Sequence, residues 1–218
     1  FSFANFPRID SSPMHPSPVI STLPNGLTVA VEENPAVQSV SFVCLVPRGC
    51  ASDPAGQCGR TALLTEMMLR GAGERDSRAL TDALDSLGLD RSVDHSSESM
   101  TVTVSCLAQH AGPALALVRD LLTRPRLDEA ELAPAKELCI QPILALEDSP
   151  SDKLMVELNR RFLPPPFNRP GKGEIEEIRQ LGVADLRRVT DAFSARGMIL
   201  AFAGKITPAE ARTLAENA

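Results

Sequence analysis

The period of the hydrophobic pattern changes abruptly along this chain, and that change narrows the possible folds more than any other feature. In Glu98–Leu107, Met100, Val102, Val104 and Cys106 point one way, while Ser99, Thr101, Thr103 and Ser105 point the other. Strict alternation of this kind marks a strand in a sheet with one buried and one polar face. Gly59–Arg70 behaves differently. Ala62, Leu63, Leu64, Met67, Met68 and Leu69 wrap most of a helical circumference, with Gly71 placed to end the helix. A helix apolar over so much of its surface is buried on more than one side.

The remaining segments alternate between these two habits. Val19–Leu23 and Leu27–Glu32 read as short strands around the turn Pro24-Asn25-Gly26, and Val40–Val46 reads as a third. A helix fits Arg78–Leu87, with Ser77 as its N-cap and Gly88 just beyond it; Leu89–Asp94 is a weaker strand. Helical spacing returns at Pro113–Leu122 and at Glu129–Glu147, where Asp128 and Glu131 form a capping box and Pro142 is expected to kink or break the helix. Ser149-Pro150 opens a helix through Phe162, and Pro164–Gly173 is a loop. Helices over Glu174–Gln180 and Ala184–Phe193, a strand at Met198–Ala203 and a helix capped by Thr207-Pro208-Ala209-Glu210 complete the chain. Strands joined by short turns imply antiparallel pairing, so the fold class is α+β: an antiparallel sheet with helices packed on one face. Residues 1–18, rich in Pro and Ser, read as an extended lead-in to a single domain over 19–218.

Composition excludes several functions. The 218 residues carry a net charge of −6, with Arg and Lys interleaved among Asp and Glu, so no basic stripe exists to bind nucleic acid. No apolar run is long enough for a membrane span, and Phe1–Pro18 lacks the basic and apolar segments of a secretion signal. The five cysteines, at 44, 50, 58, 106 and 139, are odd in number and form no C-x-x-C pair; reduced thiols in a cytoplasmic compartment are expected.

Several landmarks now fall in order: Leu23-Pro24-Asn25-Gly26-Leu27, Gly49-Cys50-Ala51-Ser52-Asp53, Gly59, and a helix ending Met67-Met68-Leu69-Arg70-Gly71. Leu87-Gly88, Pro125, Glu147-Asp148-Ser149-Pro150, Pro166-Phe167-Asn168-Arg169-Pro170, Asp185-Leu186 and Ala203-Gly204 follow. Together they resemble the M16 metallopeptidases, the family of insulysin, pitrilysin and the mitochondrial processing peptidase, from Leu23 to about Ile206. The resemblance implies a LuxS/MPP-like metallohydrolase half, one of two similar units in a larger subunit. Active members carry H-x-x-E-H on the buried helix: two His one turn apart hold zinc, the Glu activates a metal-bound water, and a Glu from a later helix is the third ligand.

Aligned on Gly59 and Met67–Gly71, those positions hold Ala62, Thr65 and Glu66, and the third ligand falls near Leu144 within Glu137–Glu147. Zinc requires about three protein ligands at roughly 2.0–2.3 Å. Gly59–Gly71 contains no His or Cys, and sliding the register by a turn either way supplies no imidazole. The expectation is therefore no catalytic residue, no metal ligand and no cofactor in this chain, with zinc confined to an active partner. Glu66 is expected to pair with a nearby Arg.

The other candidates have ordinary readings. His15, His95 and His110 are distant from one another in sequence, and His95 reads as a surface or turn residue. Cys44, Cys50 and Cys58 are too irregularly spaced for a zinc knuckle, and Gly71-Ala72-Gly73 and Gly171-Lys172-Gly173 lack the context of a P-loop. Asp94-His95-Ser96 spells a triad only on paper, because neighbours on a strand face opposite ways. The resemblance implies a homo- or hetero-oligomer with an M16-type subunit, enclosing a chamber that processes peptides. The alternatives are a scaffold like the respiratory core proteins, and a peptidase whose catalytic site lies elsewhere in a longer protein.

Overall fold

At Pro24-Asn25-Gly26 the chain reverses, with Gly26 at φ +89° and Asn25 Oδ1 accepting from the Leu27 N–H at 3.1 Å. The turn pairs β1 (Val19–Thr22) with β2 (Thr28–Glu33). This is a computed structural model, and it describes residues 17–217. All but the last two residues of the expected lead-in, and His15, lie outside that range. The chain continues through β3 (Ser39–Val46), a 3-10 turn at Cys50–Ser52, α1 (Arg60–Met68), a small hairpin of β4 (Gly71–Ala72) and β5 (Arg75–Asp76), α2 (Ser77–Ser86), β6 (Asp90–His95) and β7 (Met100–Leu107). There follow α3 (Ala111–Thr123), α4 (Glu129–Leu144), α5 (Pro150–Phe162), α6 (Ile175–Gln180), α7 (Val183–Thr190), β8 (Ile199–Gly204) and α8 (Pro208–Glu216).

The fold is α+β. Six strands form one sheet in the order β1-β2-β8-β3-β7-β6. Its core face carries Val29 and Val31 of β2, Val40, Phe42, Cys44 and Val46 of β3, Met100, Val102, Val104 and Cys106 of β7, and Leu200 and Phe202 of β8. Leu63, Leu64, Met67 and Met68 of α1 and Leu115, Val118 and Leu121 of α3 pack into the same cluster. The opposite face is mixed: β7 gives it Thr101, Thr103 and Ser105, β3 gives it Ser41, Val43 and Leu45, and Ser41 and Ser105 are joined by a 2.6 Å hydrogen bond. Burial of one face only is what the alternation in β7 requires.

The sheet departs from pure antiparallel pairing at one place. β8 enters between β2 and β3, antiparallel to β3 but parallel to β2. The rule that short turns make antiparallel neighbours does not reach a strand that arrives after five helices. What places β8 is burial, since Phe202 packs on Phe42 with ring centroids 5.5 Å apart.

Helix ends also differ in detail. Asp76, not Ser77, caps α2, its Oδ1 accepting from the Ala79 N–H at 2.8 Å. The box expected from Asp128 and Glu131 does not form: Asp128 accepts from Arg126, and Glu131 reaches across to Arg70. Pro142 does not break α4, which runs on to Leu144 and then tightens into a 3-10 turn over Ala145–Asp148. The box at Thr207 and Glu210 is complete.

Asp120, buried on α3, ties that helix to its own end and to the small hairpin: Arg124 lies at 2.8 Å, Arg75 and Arg119 at 3.5 Å. Burial alone would raise its carboxyl, but the Arg124 hydrogen bond and charge, with Arg119, hold it below the ordinary value. A depressed folded-state pKa contributes stability above the unfolded value of about 3.9, and that contribution is lost as the pH falls through the folded value. Asp120→Asn is therefore expected to lower stability at neutral pH and to flatten the acid limb. Urea titrations of the two proteins at a series of pH values should converge as the pH falls through the folded-state value of Asp120.

Candidate functional site

The helix that would carry a zinc motif is α1, and its start is fixed by Asp53. That buried carboxylate accepts from the Gly59 N–H at 3.1 Å, the Thr61 N–H at 3.2 Å and the Thr61 hydroxyl at 2.7 Å. Arg60 lies beside it, its Nε 3.8 Å from Asp53 Oδ1. Negative charge at a helix N-terminus is favourable in itself, so one side chain both closes the preceding loop and orients the helix.

Three positions on α1 then decide the chemistry. Ala62 is buried and offers no donor atom. Thr65 donates its hydroxyl proton to the Ala62 carbonyl at 2.7 Å. Glu66 meets its expected arginine: Arg70 reaches it at 3.1 Å and grips Glu131 of α4 at 2.7 Å. Arg70 thus bridges two carboxylates and locks α1 to α4. Leu144 is 49% exposed, whereas Ile143, one residue earlier, lines a cleft between the end of β6 and α5.

His95 stands at a strand end, partly exposed, and makes contacts that its sequence position does not announce. It closes β6 and stands against α1, with Nδ1 3.5 Å from Thr65 Oγ1 and Nε2 3.0 Å from the Gly171 carbonyl. The ring bridges strand, helix and loop. No local pattern reveals this, because the partners lie 30 and 76 positions away. The loop is held from the other side as well, where Gly173 Cα and Gly59 come into close backbone contact. The end of β6 and this loop, with residues of α4 and α5, wall a cleft of about 690 Å³, lined among others by His95, Ser97, Ile143, Val156, Phe167 and Lys172.

Zinc does not fit this donor set. Among the described residues no group of three or more His, Cys, Asp or Glu side chains is placed to hold a metal ion. The nearby thiols are poor ligands, because binding requires the thiolate. Burial first, and then the charges of Asp53 and Glu177, push Cys58 up to about 12; burial and Asp53 raise Cys50 in the same direction. The carboxylate of Glu66 is already committed to Arg70. The site consists of a peptidase-like helix and cleft in which ion pairing and packing occupy the positions where ligands are expected.

This is the architecture of a metallopeptidase half without its ligand set. A sequence profile described as Insulinase (Peptidase family M16) matches residues 28–163, and the chain belongs to that family. It is 24% identical over 189 residues to an uncharacterized zinc protease of Rickettsia bellii, covering 86% of this chain and 46% of that protein. It is 22% identical over 193 residues to a probable mitochondrial-processing peptidase subunit beta of Arabidopsis thaliana, covering 88% of this chain and 36% of that one. The chain thus spans less than half the length of these relatives. Its fold matches the crystal structure of a peptidase M16 inactive domain from Pseudomonas fluorescens, with a TM-score of 0.86 at 18% identity over 92% of this chain and 50% of the other. The periplasmic protease PqqL from Escherichia coli matches with a TM-score of 0.83 at 16% identity, over 92% of this chain and 23% of that one.

Proposed function

We propose that this chain is a non-catalytic M16 unit that pairs with a zinc-bearing partner of the same family to form a peptide-processing chamber. The observation that carries the reading is the state of α1: Ala62 has no donor, Thr65 is bonded to its own helix, and Glu66 is bonded to Arg70. A water-activating base and its metal have no place there, whereas peptide binding needs neither. Among the described residues β6 is the last strand of the sheet and has a strand neighbour on one side only, and its end at His95 opens on the cleft. An extended peptide can add to such an edge as a further strand, with main-chain hydrogen bonds giving affinity and the cleft giving selectivity. The name of the Arabidopsis relative, a subunit beta, fits an assembly of unlike subunits. We also propose a cytoplasmic location, in keeping with five free cysteines of which Cys44, Cys50, Cys58 and Cys106 are buried.

The test mixes the purified chain with a zinc-bearing M16 subunit and follows zinc content and cleavage of a fluorogenic peptide. The chain alone is expected to keep no stoichiometric zinc after dialysis and to cleave nothing, while the mixture cleaves faster than the partner alone. Hydrolysis by the isolated chain, or one zinc per chain, would overturn the reading. A stable complex without any gain in rate would replace it with a scaffold.

A further inference from the structure

The helix α5 has an apolar stripe that faces away from the protein. Leu154, Met155, Leu158 and Phe162 fall at i, i+1, i+4 and i+8, within about 100° of the helix circumference. Leu154 is 66% and Phe162 77% exposed, and none of the thirteen residues of α5 is buried. The opposite side of the helix, Val156, Asn159, Arg160 and Leu163, walls the cleft. α5 is therefore held to the protein by a mixed face and shows its most apolar one to the outside. Contiguous exposed apolar surface of this kind marks an interaction site.

We propose that this stripe pairs antiparallel with α5 of a second copy of the chain. The charges beside it specify that partner. Glu157 and Arg161 lie one turn apart on one flank, 2.6 Å from each other. A two-fold axis perpendicular to the helix brings this flank against itself in reverse order. The midpoint of Glu157 and Arg161 falls within about one residue of Leu158, the centre of the Leu154–Phe162 stripe. In the dimer each Glu157 therefore meets the partner copy's arginine, each Arg161 meets its glutamate, and the two apolar stripes close on each other between them. A membrane surface is the poorer occupant. Interfacial helices flank their apolar face with cations, whereas α5 mixes Asp152 and Glu157 with Lys153, Arg160 and Arg161 on a chain of net charge −6. The surface is distinct from the peptide cleft, so the inference stands whether or not the proposed function holds.

The experiment is sedimentation velocity of the 218-residue chain over a concentration series, with native mass spectrometry of mixtures. A two-helix contact is small, so a dimer with a Kd on the order of micromolar is expected. Leu158→Glu and Phe162→Glu should each weaken it at least about tenfold, with circular dichroism unchanged because both side chains are exposed. Glu157→Arg and Arg161→Glu should each impair self-association, and mixing the two variants should restore a dimer of one copy of each. A chain that is monomeric at about 100 µM, or a dimer indifferent to these substitutions, overturns the proposal. So does binding to anionic vesicles that depends on Phe162 in a protein that does not dimerise.

Discussion

Asp53→Ala is expected to cost about 3–5 kcal/mol of stability, the range found when one partner of a buried ion pair is removed and the other stays behind. Asp53 is 2% exposed and holds the Gly59 and Thr61 N–H groups and the Thr61 hydroxyl. Its loss frees three donors at the start of α1 and leaves Arg60 without its counter-charge. Arg60 has little to fall back on: among the described residues its Nε has no hydrogen-bond partner, and its side chain bonds to Gln57 at 3.1 Å. Burial lowers the affinity of that guanidinium for its proton, and Asp53 is the first charge opposing the shift. Urea unfolding of Asp53→Ala and of Asp53→Ala/Arg60→Met separates the contributions. The double variant should recover about half the loss, because no unpaired charge remains. A single variant costing under about 1 kcal/mol would show that water reaches Arg60 and that the pair is a surface contact.

The same residues show how far sequence alone carries the fold. The alternation in β7 and the all-round apolarity of α1 are local patterns, and both faces fall where those patterns put them. The pairing of Glu66 with Arg70 is equally local, being one helical turn. Arg70 to Glu131 is not, since 61 positions separate them and only the packing of α1 on α4 creates the contact. The exchange of Ser77 for Asp76 as a cap follows from two competent capping residues standing side by side, of which backbone geometry picks one. His95 was illegible for a different reason. Its role depends on the end of β6 arriving beside α1 and under Gly171, and no spacing rule connects a strand, a helix and a loop. The missing ligands of α1 could be read directly because composition alone decides them: no register creates an imidazole in Gly59–Gly71.

Gly173→Ala is expected to destabilise the protein by about 3 kcal/mol, combining backbone strain with overpacking. Gly173 sits at φ +95°, a region that side chains disfavour, and an added Cβ would lie 2.5 Å from Gly59 Cα and 2.9 Å from the Cys58 carbonyl. Those are backbone atoms, so no rotamer change can relieve the contact. Gly59 is itself at φ +103°, with Ile178 pressed against the place where its Cβ would stand, so it cannot move aside. The strain must then be released by the loop. Residues 164–174 carry the Gly171 carbonyl that His95 contacts and the Arg169 guanidinium that donates to the Asp53 carbonyl. Gly173→Ala should therefore loosen the cleft wall in the folded protein as well as lower its stability. Hydrogen exchange separates the two effects: the Gly173 and Glu174 amides, bonded to Pro170 and Cys58 carbonyls, should lose protection well before those of β7. Gly56→Ala is the control, since that glycine also has a positive φ but nothing within 4 Å of its would-be Cβ. It should show the strain without the clash, about 1 kcal/mol, and leave the loop amides protected.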